Sequence, residues 1–309
     1  MILITGSSGY IGSEIVNEFE KRNIKYIGID SQIYSNPKNI VNKKKYIKID
    51  ISNSKIKNLI QKNKIATVIH CAALSYVLDA ESNKSKYILN NITKTKKFIN
   101  LCKKANIRNF IFLSSSNVYS EGPKTFSEKN FTNPINLYGK TKVIIEKYLR
   151  TKKFESLIIL RLFNIVGLTK KFYVFKFNKE NYQRLFFKLA NVRLNFQINY
   201  QISNNKKIFP KRDFIDIRDV SSAILRLLNK IKEKKIFDTF NLGSGESVSI
   251  MNICKKFNKN ATFKFKKISK KELSVTKANI NKIKKFLSWQ PQVKIENSIK
   301  STLKFIRYR

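Results

Sequence analysis

The chain has 309 residues, with 63 Lys and Arg against 20 Asp and Glu, for a formal net charge of +43. That length suits one large or two ordinary domains, and 42% hydrophobic residues can fill a core. One histidine and three widely spaced cysteines exclude a transition-metal centre, a histidine-based triad and a disulfide framework.

A basic excess signals nucleic acid or an anionic membrane when it gathers into a patch. Here lysine lies in every segment, and Asn, Ile, Phe and Tyr are abundant with it, as AT-rich codons would encode. The charge is therefore read as composition and solvated faces, and no nucleic-acid partner is expected. The longest apolar run, Leu157 to Leu168, is interrupted by Arg161 and Asn164 and is too short to span a bilayer. No membrane partner is expected. The first strand starts without a basic leader before it, which with the cysteine usage suggests the cytoplasm.

In chain order, Ile2-Leu3-Ile4 is an apolar strand that stops at Thr5-Gly6. Gly9 and Gly12 follow, and Ile11, Ile15, Val16 and Phe19 recur at helical spacing. A strand, a glycine turn and a helix start are the parts of a phosphate cradle. Gly6, Gly9 and Gly12 let an anion approach the backbone, and the positive end of the helix faces it. Lys25 to Ile29 is a second strand, and Asp30 at its end can accept both hydroxyls of an adenosine ribose. A carboxylate there repels a 2′-phosphate, so NAD is favoured over NADP.

Tyr46 to Ile49 is a third strand, ending at Asp50-Ile51, followed by a helix over Ser52 to Asn63. Thr67 to His70 is a fourth strand, and His70 is expected to be structural. Ala72 and Ala73 are small enough for backbone to pass close to a ligand. A long helix is expected over Lys84 to Lys104, and Asn109 to Leu113 is a fifth strand. This alternation predicts an α/β fold with a Rossmann-like, doubly wound parallel sheet. Ligands of such sheets bind beyond the carboxyl ends of the strands, where every residue singled out so far lies.

The fifth strand runs into Ser114-Ser115-Ser116-Asn117-Val118-Tyr119, and Tyr138-Gly139-Lys140-Thr141-Lys142 opens the next helix. Tyr138 and Lys142 are one turn apart on one face. A free phenol has a pKa of roughly 10, and a nearby ammonium stabilises its phenolate. A serine hydroxyl at the strand end can orient a substrate hydroxyl.

These motifs resemble the extended short-chain dehydrogenases/reductases, within the NAD-dependent epimerase/dehydratase family, and most of all the nucleotide-sugar 4-epimerases of the UDP-glucose/UDP-galactose type. The matching stretches are Thr5 to Ser13, Asp50-Ile51, Val68-Ile69-His70, Asn90-Asn91, Asn109 to Tyr119, Tyr138 to Lys142 and Leu160 to Asn164. Arg212 to Val220 and Asn241 to Gly245 continue the match over essentially the whole chain.

The resemblance implies the following roles. Tyr10 and Ile11 lie against the pyrophosphate of NAD, Asp30 on the ribose, and Asp50 and Ile51 at the adenine. Ala72, Ala73 and Asn90 line the inner half of the cofactor, and Phe163 backs the nicotinamide. Ser115 is the catalytic hydroxyl, Tyr138 the acid/base, and Lys142 holds the nicotinamide ribose and tunes Tyr138. Asn164, Asn181 and Arg212 take the sugar and diphosphate. The implied reaction is transient oxidation at sugar C4 and return of hydride to the opposite face. The resemblance also implies a homodimer joined by the helices following Asn90 and Tyr138.

Two departures bear on the reaction. Ser116 and Asn117 stand where 4,6-dehydratases carry an acidic pair, so elimination lacks its catalyst. A second phosphate-binding arginine is absent between Phe265 and Glu272, where Lys267 or Lys270 can substitute as a point charge. A 4-keto-sugar reductase, a decarboxylating dehydrogenase or a non-catalytic polyanion-binding member remain as alternatives.

In the back half, Phe214 to Ile217, a helix from Asp219 to Lys230, and Phe237 to Leu242 are expected to return to the first domain. The expected division is 1–164 plus 213–242 for the dinucleotide-binding domain and 165–212 plus 243–309 for a smaller mixed α/β substrate domain.

Overall fold

A computed structural model describes every residue except 121, 123–124, 175–184, 186–188, 190–195, 204–205, 258–262, 268–272 and 309. The first half alternates strand and helix: β1 Ile2–Thr5, α1 Tyr10–Lys21, β2 Tyr26–Asp30, β3 Tyr46–Lys48, α2 Lys55–Lys62 and β4 Thr67–His70. Then come α3 Val77–Ser82, α4 Lys84–Tyr87, α5 Thr95–Lys104, β5 Asn109–Ser115, α6 Leu137–Arg150 and β6 Ser156–Leu162.

The second half is mixed. It holds β7 Asn164–Val166, β8 Phe172–Val174, β9 Phe196–Ser203, β10 Lys206–Ile208, β11 Lys211–Asp216, α7 Ile217–Glu233 and β12 Phe237–Leu242. It ends with β13 Ser247–Ser249, α8 Ile250–Phe257, β14 Phe263–Lys267, α9 Asn281–Leu287, α10 Ile295–Phe305 and β15 Ile306–Tyr308.

Seven strands form one parallel sheet in the order β12-β6-β5-β4-β1-β2-β3. The chain winds outward from β1 to β3, then returns to start again at β4 on the other side of β1. That reversal opens a crevice beyond the strand ends. The strands are apolar on both faces because helices cover both. Leu3, Val68, Phe110 and Phe112 pack with Ile56 of α2, Phe98 of α5 and Ile145 of α6. Ile4, Ile69, Ile111 and Leu113 face the other way, onto Ile15 and Phe19 of α1 and Val220 and Ile224 of α7. The Rossmann-like doubly wound sheet expected from the sequence is the sheet observed.

The helix expected over Lys84 to Lys104 is continuous but not uniform. Ile88–Lys94 widens into a π-helix between α4 and α5. The widening presents two successive asparagines differently: Asn90 lines the crevice. Asn91 is buried, accepting from Leu74 N at 2.9 Å and donating to Leu74 O at 2.9 Å.

One strand, expected to return to the first domain, pairs outside the large sheet, while Ile215 still packs in that sheet's core. Residues 214–216 do not extend the large sheet; β11 pairs with β7 in parallel and β13 antiparallel. The position beside β6 is taken by β12, whose six residues pair in register with it. Phe163 marks the departure, its N–H bonding Leu242 O at 2.9 Å while β7 turns away toward β11. Met251, Ile253, Phe214 and Ile299 form a separate core over this smaller sheet.

Candidate active site

The glycine turn is built by close approach. Gly6 has φ +67°, a conformation that favours glycine, and a Cβ on it would lie 2.9 Å from the Ala72 backbone. A Cβ on Gly12 would lie 2.1 Å from the Gly6 carbonyl oxygen, so α1 rests directly on the turn. Gly9 is the N-cap and offers no side-chain cap, which leaves first-turn N–H groups for an anion. On β2, a Cβ on Gly28 would meet the Ser7 side chain at 2.8 Å. Gly28 thus makes room for the turn, a role its place inside an apolar run concealed.

Asp30 closes this end. Its Oδ2 accepts from Ser8 N at 3.2 Å, and its Oδ1 from Gln32 N at 2.8 Å and Ser35 Oγ at 3.0 Å. A carboxylate has about four acceptor sites, so capacity remains for a ribose hydroxyl. Asp50 accepts from Ser52 N at 2.9 Å, Ser52 Oγ at 2.7 Å and Lys94 Nζ at 2.6 Å. Burial alone would raise its pKa, but these bonds, led by Lys94, hold it below the usual value.

The floor lies at the end of β4. Thr5 Oγ1 accepts from Ala72 N at 3.1 Å and bonds His70 Nδ1 at 2.8 Å. His70 is stacked with Phe98 and Phe112, and burial, aided by the Lys142 charge, pushes its pKa down to about 3. It is a neutral structural side chain at physiological pH. Cys71 lines the crevice, but burial pushes its thiol up to about 12, so it is no nucleophile.

The far end holds the serine, tyrosine and lysine singled out from the sequence. Asn136 caps α6, its Oδ1 accepting from Gly139 N at 2.8 Å. A Cβ on Gly139 would lie 2.0 Å from Asn117 O, so the first turn of α6 sits on the bend that follows β5. That contact brings Tyr138 and Lys142 beside Ser115, and all three line the crevice. Ser115 Oγ accepts from Asn117 N and Asn117 Nδ2, each at 3.2 Å. Asn117 is itself held by Asn136 Nδ2 at 3.1 Å. With its lone pairs engaged, the Ser115 hydroxyl presents its proton as a donor. Lys142 Nζ donates to Leu113 O at 2.8 Å and lies 4.8 Å from the Phe112 ring centroid and 5.8 Å from that of Tyr138.

Gly6, Gly9, Tyr10, Ile11, Gly12, Asp30, Asp50, Ile51, Ala72, Ala73, Asn90, Phe163 and Asn164 line the same crevice as Ser115, Tyr138 and Lys142. Asn164 Nδ2 donates to Asp213 O at 3.1 Å. Arg212 does not line it; its Nη1 donates to Ser274 O at 3.0 Å and Lys211 O at 3.1 Å. Lys267 lies on β14, away from the lining. Asn181 and Lys270 lie outside the described residues.

The outer wall was not foreseen. Tyr10 Oη donates to Gly167 O at 2.6 Å, and its ring meets Phe172 edge-on at 5.7 Å. Asn39 exchanges two bonds with the Tyr173 backbone, at 2.8 and 2.9 Å. Partners so far apart in the chain leave no local signature in the sequence. Among the described residues no helix is long and apolar enough to cross a membrane.

The chain resembles known proteins throughout its length. It is 28% identical to UDP-glucose 4-epimerase of Haemophilus influenzae over 328 residues, covering 97% of this chain and 96% of that one. It is also 28% identical to dTDP-4-dehydro-6-deoxyglucose reductase of Escherichia coli, covering 99% and 97%. UDP-glucose 4-epimerase from Bifidobacterium longum, solved in complex with NAD+ and UDP, shares the fold with a TM-score of 0.88 at 23% identity, covering 98% of this chain and 97% of that one. The family description for NAD-dependent epimerases and dehydratases matches residues 2–243. A glycine turn with no room for a Cβ, an acidic strand end and a Ser-Tyr-Lys trio in one crevice fit that description, and the chain belongs to the NAD dependent epimerase/dehydratase family.

Proposed function

We propose that the protein is a nucleotide-sugar 4-epimerase of the UDP-glucose/UDP-galactose type, with NAD as its resident cofactor. The observation that carries this is the gathering of Ser115, Tyr138 and Lys142 on the wall of the crevice that the glycine turn and Asp30 open. When bound, NAD supplies a two-electron acceptor that takes hydride from a sugar carbon and gives it back. Gly6, Gly9 and Gly12 admit the pyrophosphate, and Asp30 accepts from the adenosine ribose. Tyr138 removes the proton of the sugar 4-hydroxyl and later returns it. Lys142 supplies the positive charge that favours the phenolate, and Ser115 donates to the sugar oxygen.

Asn117 supports this choice over dehydration. It follows the catalytic serine where elimination would need an acid, and it carries no acidic proton while its backbone N–H and one side-chain N–H go to Ser115. Asn164, Asn181 and Arg212 are proposed for the sugar and diphosphate, Arg212 as a charged donor.

A 4-keto-sugar reductase is the second candidate, favoured by the Escherichia coli relative. Incubation of the purified protein with UDP-glucose, UDP-N-acetylglucosamine and UDP-glucuronate, followed by product analysis, separates the two. Sugar interconversion without net change in NADH supports the epimerase. Stoichiometric NADH consumption with a keto sugar replaces it with the reductase.

A homodimer in the reducing cytoplasm is proposed as the working form. Leu78, Ile88 and Leu89 before α5 and Ile144 on α6 are exposed apolar side chains suited to such a contact. Sedimentation at twice the monomer mass is the expected result, and a monomer at all concentrations rejects it.

A further inference from the structure

Behind the crevice lies an ion pair that the proposed chemistry does not use directly. Glu146 on α6 is 4% exposed and Arg161 on β6 is 6% exposed. Arg161 Nη2 donates to Glu146 Oε2 at 2.7 Å and Nε to Oε1 at 3.2 Å, a two-pronged contact. A buried ion pair is a weak device for stability, because apolar residues of similar volume often serve as well or better. Arg161 also interrupts β6, which is otherwise almost entirely apolar and buried.

The pair is tied to the catalytic strand end. Ser114 Oγ donates to Glu146 Oε1, and Ser114 is the residue before Ser115. Ser114 and Arg161 are directly opposite in the β5–β6 register. Arg161 Nη1 donates to Tyr119 Oη at 3.1 Å, and Tyr119 Oη donates to Asn241 Oδ1 at 2.6 Å. Asn241 stands opposite Arg161 on β12 and donates to Phe126 O at 2.9 Å. The chain of bonds therefore joins β5, β6, β12 and α6 at one level. Glu146 also lies one helical turn beyond Lys142 on the same face of α6.

We propose that Glu146 and Arg161 are positioning residues for this site. They fix the carboxyl end of β5 against α6, and Glu146 supplies the buried negative charge that Lys142 faces. The part played in turnover rests on the epimerase assignment; the part played toward Lys142 does not. The groups around Lys142 single out Glu146. Cys71 and His70 face it from the end of β4, and both are uncharged at neutral pH because burial disfavours their ions. Tyr138 lies on its own helix, and Arg161 stands beyond the carboxylate. Burial draws the Lys142 pKa down to about 8; with the Cys71 thiol neutral there, the Glu146 carboxylate is the charge that opposes that fall. Loss of the Glu146 carboxylate removes its support and leaves the Arg161 cation uncompensated, so both effects disfavour the Lys142 ammonium.

The test is the titration of Lys142, followed by NMR in NAD-saturated protein labelled on lysine side chains and assigned with Lys142→Met. Glu146→Gln is expected to lower the midpoint by about one pH unit. On a sugar nucleotide the same variant is expected to lose about tenfold or more in kcat with KM nearly unchanged. If the single variant does not fold, Glu146→Gln/Arg161→Met removes both charges together and is expected to lower the midpoint in the same direction. An unchanged midpoint in the folded variant overturns the proposal. A wild-type protein that converts no sugar nucleotide overturns the epimerase assignment, and the NMR midpoint still decides this one.

Discussion

Lys142 reaches from α6 to the Leu113 carbonyl on β5, donating to it at 2.8 Å above the Phe112 ring. The ammonium thus sits where strand and helix converge, in a setting that disfavours charge. Burial is the largest cause of its depressed pKa, about 8, ahead of the opposing influence of the Glu146 carboxylate.

Activity and stability should respond to that group in opposite directions. In the role proposed for Lys142 turnover needs the ammonium, so kcat is expected to fall as pH rises through about 8. For stability, the folded pKa lies below the ordinary lysine value of 10.5 that the unfolded chain keeps, so between those values the unfolded chain binds more protons. Stability therefore rises with pH across that window, by at most about 1.4 kcal/mol per unit from this group. Urea midpoints of wild type against Lys142→Met, from pH 7 to 10, isolate the effect. A difference that is flat with pH contradicts it.

The glycine turn predicts a graded pair of variants. A Cβ on Gly12 would lie 2.1 Å from Gly6 O, whereas one on Gly9 would lie 3.2 Å from the same atom. Gly12→Ala is expected to displace α1 and lose NAD retention by about tenfold or more, and Gly9→Ala considerably less. Bound dinucleotide released by acid and measured per chain checks the order. Equal retention in both variants contradicts the packing account.

Asp30 gathers Ser8, Gln32 and Ser35 at the end of β2. Asp30→Ala is expected to weaken NAD by about tenfold and to narrow its preference over NADP, since a repelling carboxylate is removed. Titration of both dinucleotides into the stripped protein is the check. An unchanged ratio removes Asp30 from the ribose.

His70 sets acid sensitivity. Its folded pKa, about 3, lies below the ordinary imidazole value of 6.5, so stability from keeping it neutral is present above 6.5 and is lost as pH falls toward 3. The slope is at most about 1.4 kcal/mol per unit from one group. His70→Phe is expected to flatten the acid limb of the stability curve. A limb of unchanged steepness places the sensitivity elsewhere.

Much of this architecture was legible in the residues. The turn from Thr5 to Gly12 announces itself because apolar strand, glycine spacing and helical periodicity change within a dozen positions. Ser115, Tyr138 and Lys142 could be linked because two share a helix face and the third ends a neighbouring strand. Other features leave no such trace. Phe214 to Asp216 is as apolar as a strand of the large sheet, and pattern alone does not say which neighbours it joins. Ile88 to Lys94 has the spacing of an ordinary helix, and nothing in that spacing marks its widening. Arg161 stands out in an apolar run, but its partner Glu146 is on another element. Asn39 and Tyr173 meet across 134 positions.

The most direct test follows the hydrogen at sugar C4. UDP-glucose deuterated at C4 is incubated with the NAD-loaded protein, and the UDP-galactose formed is examined by mass spectrometry. The account predicts full retention of deuterium at C4 of the UDP-galactose, with conversion lost in Tyr138→Phe. Loss of the label to water, or its appearance in added free NADH, contradicts it.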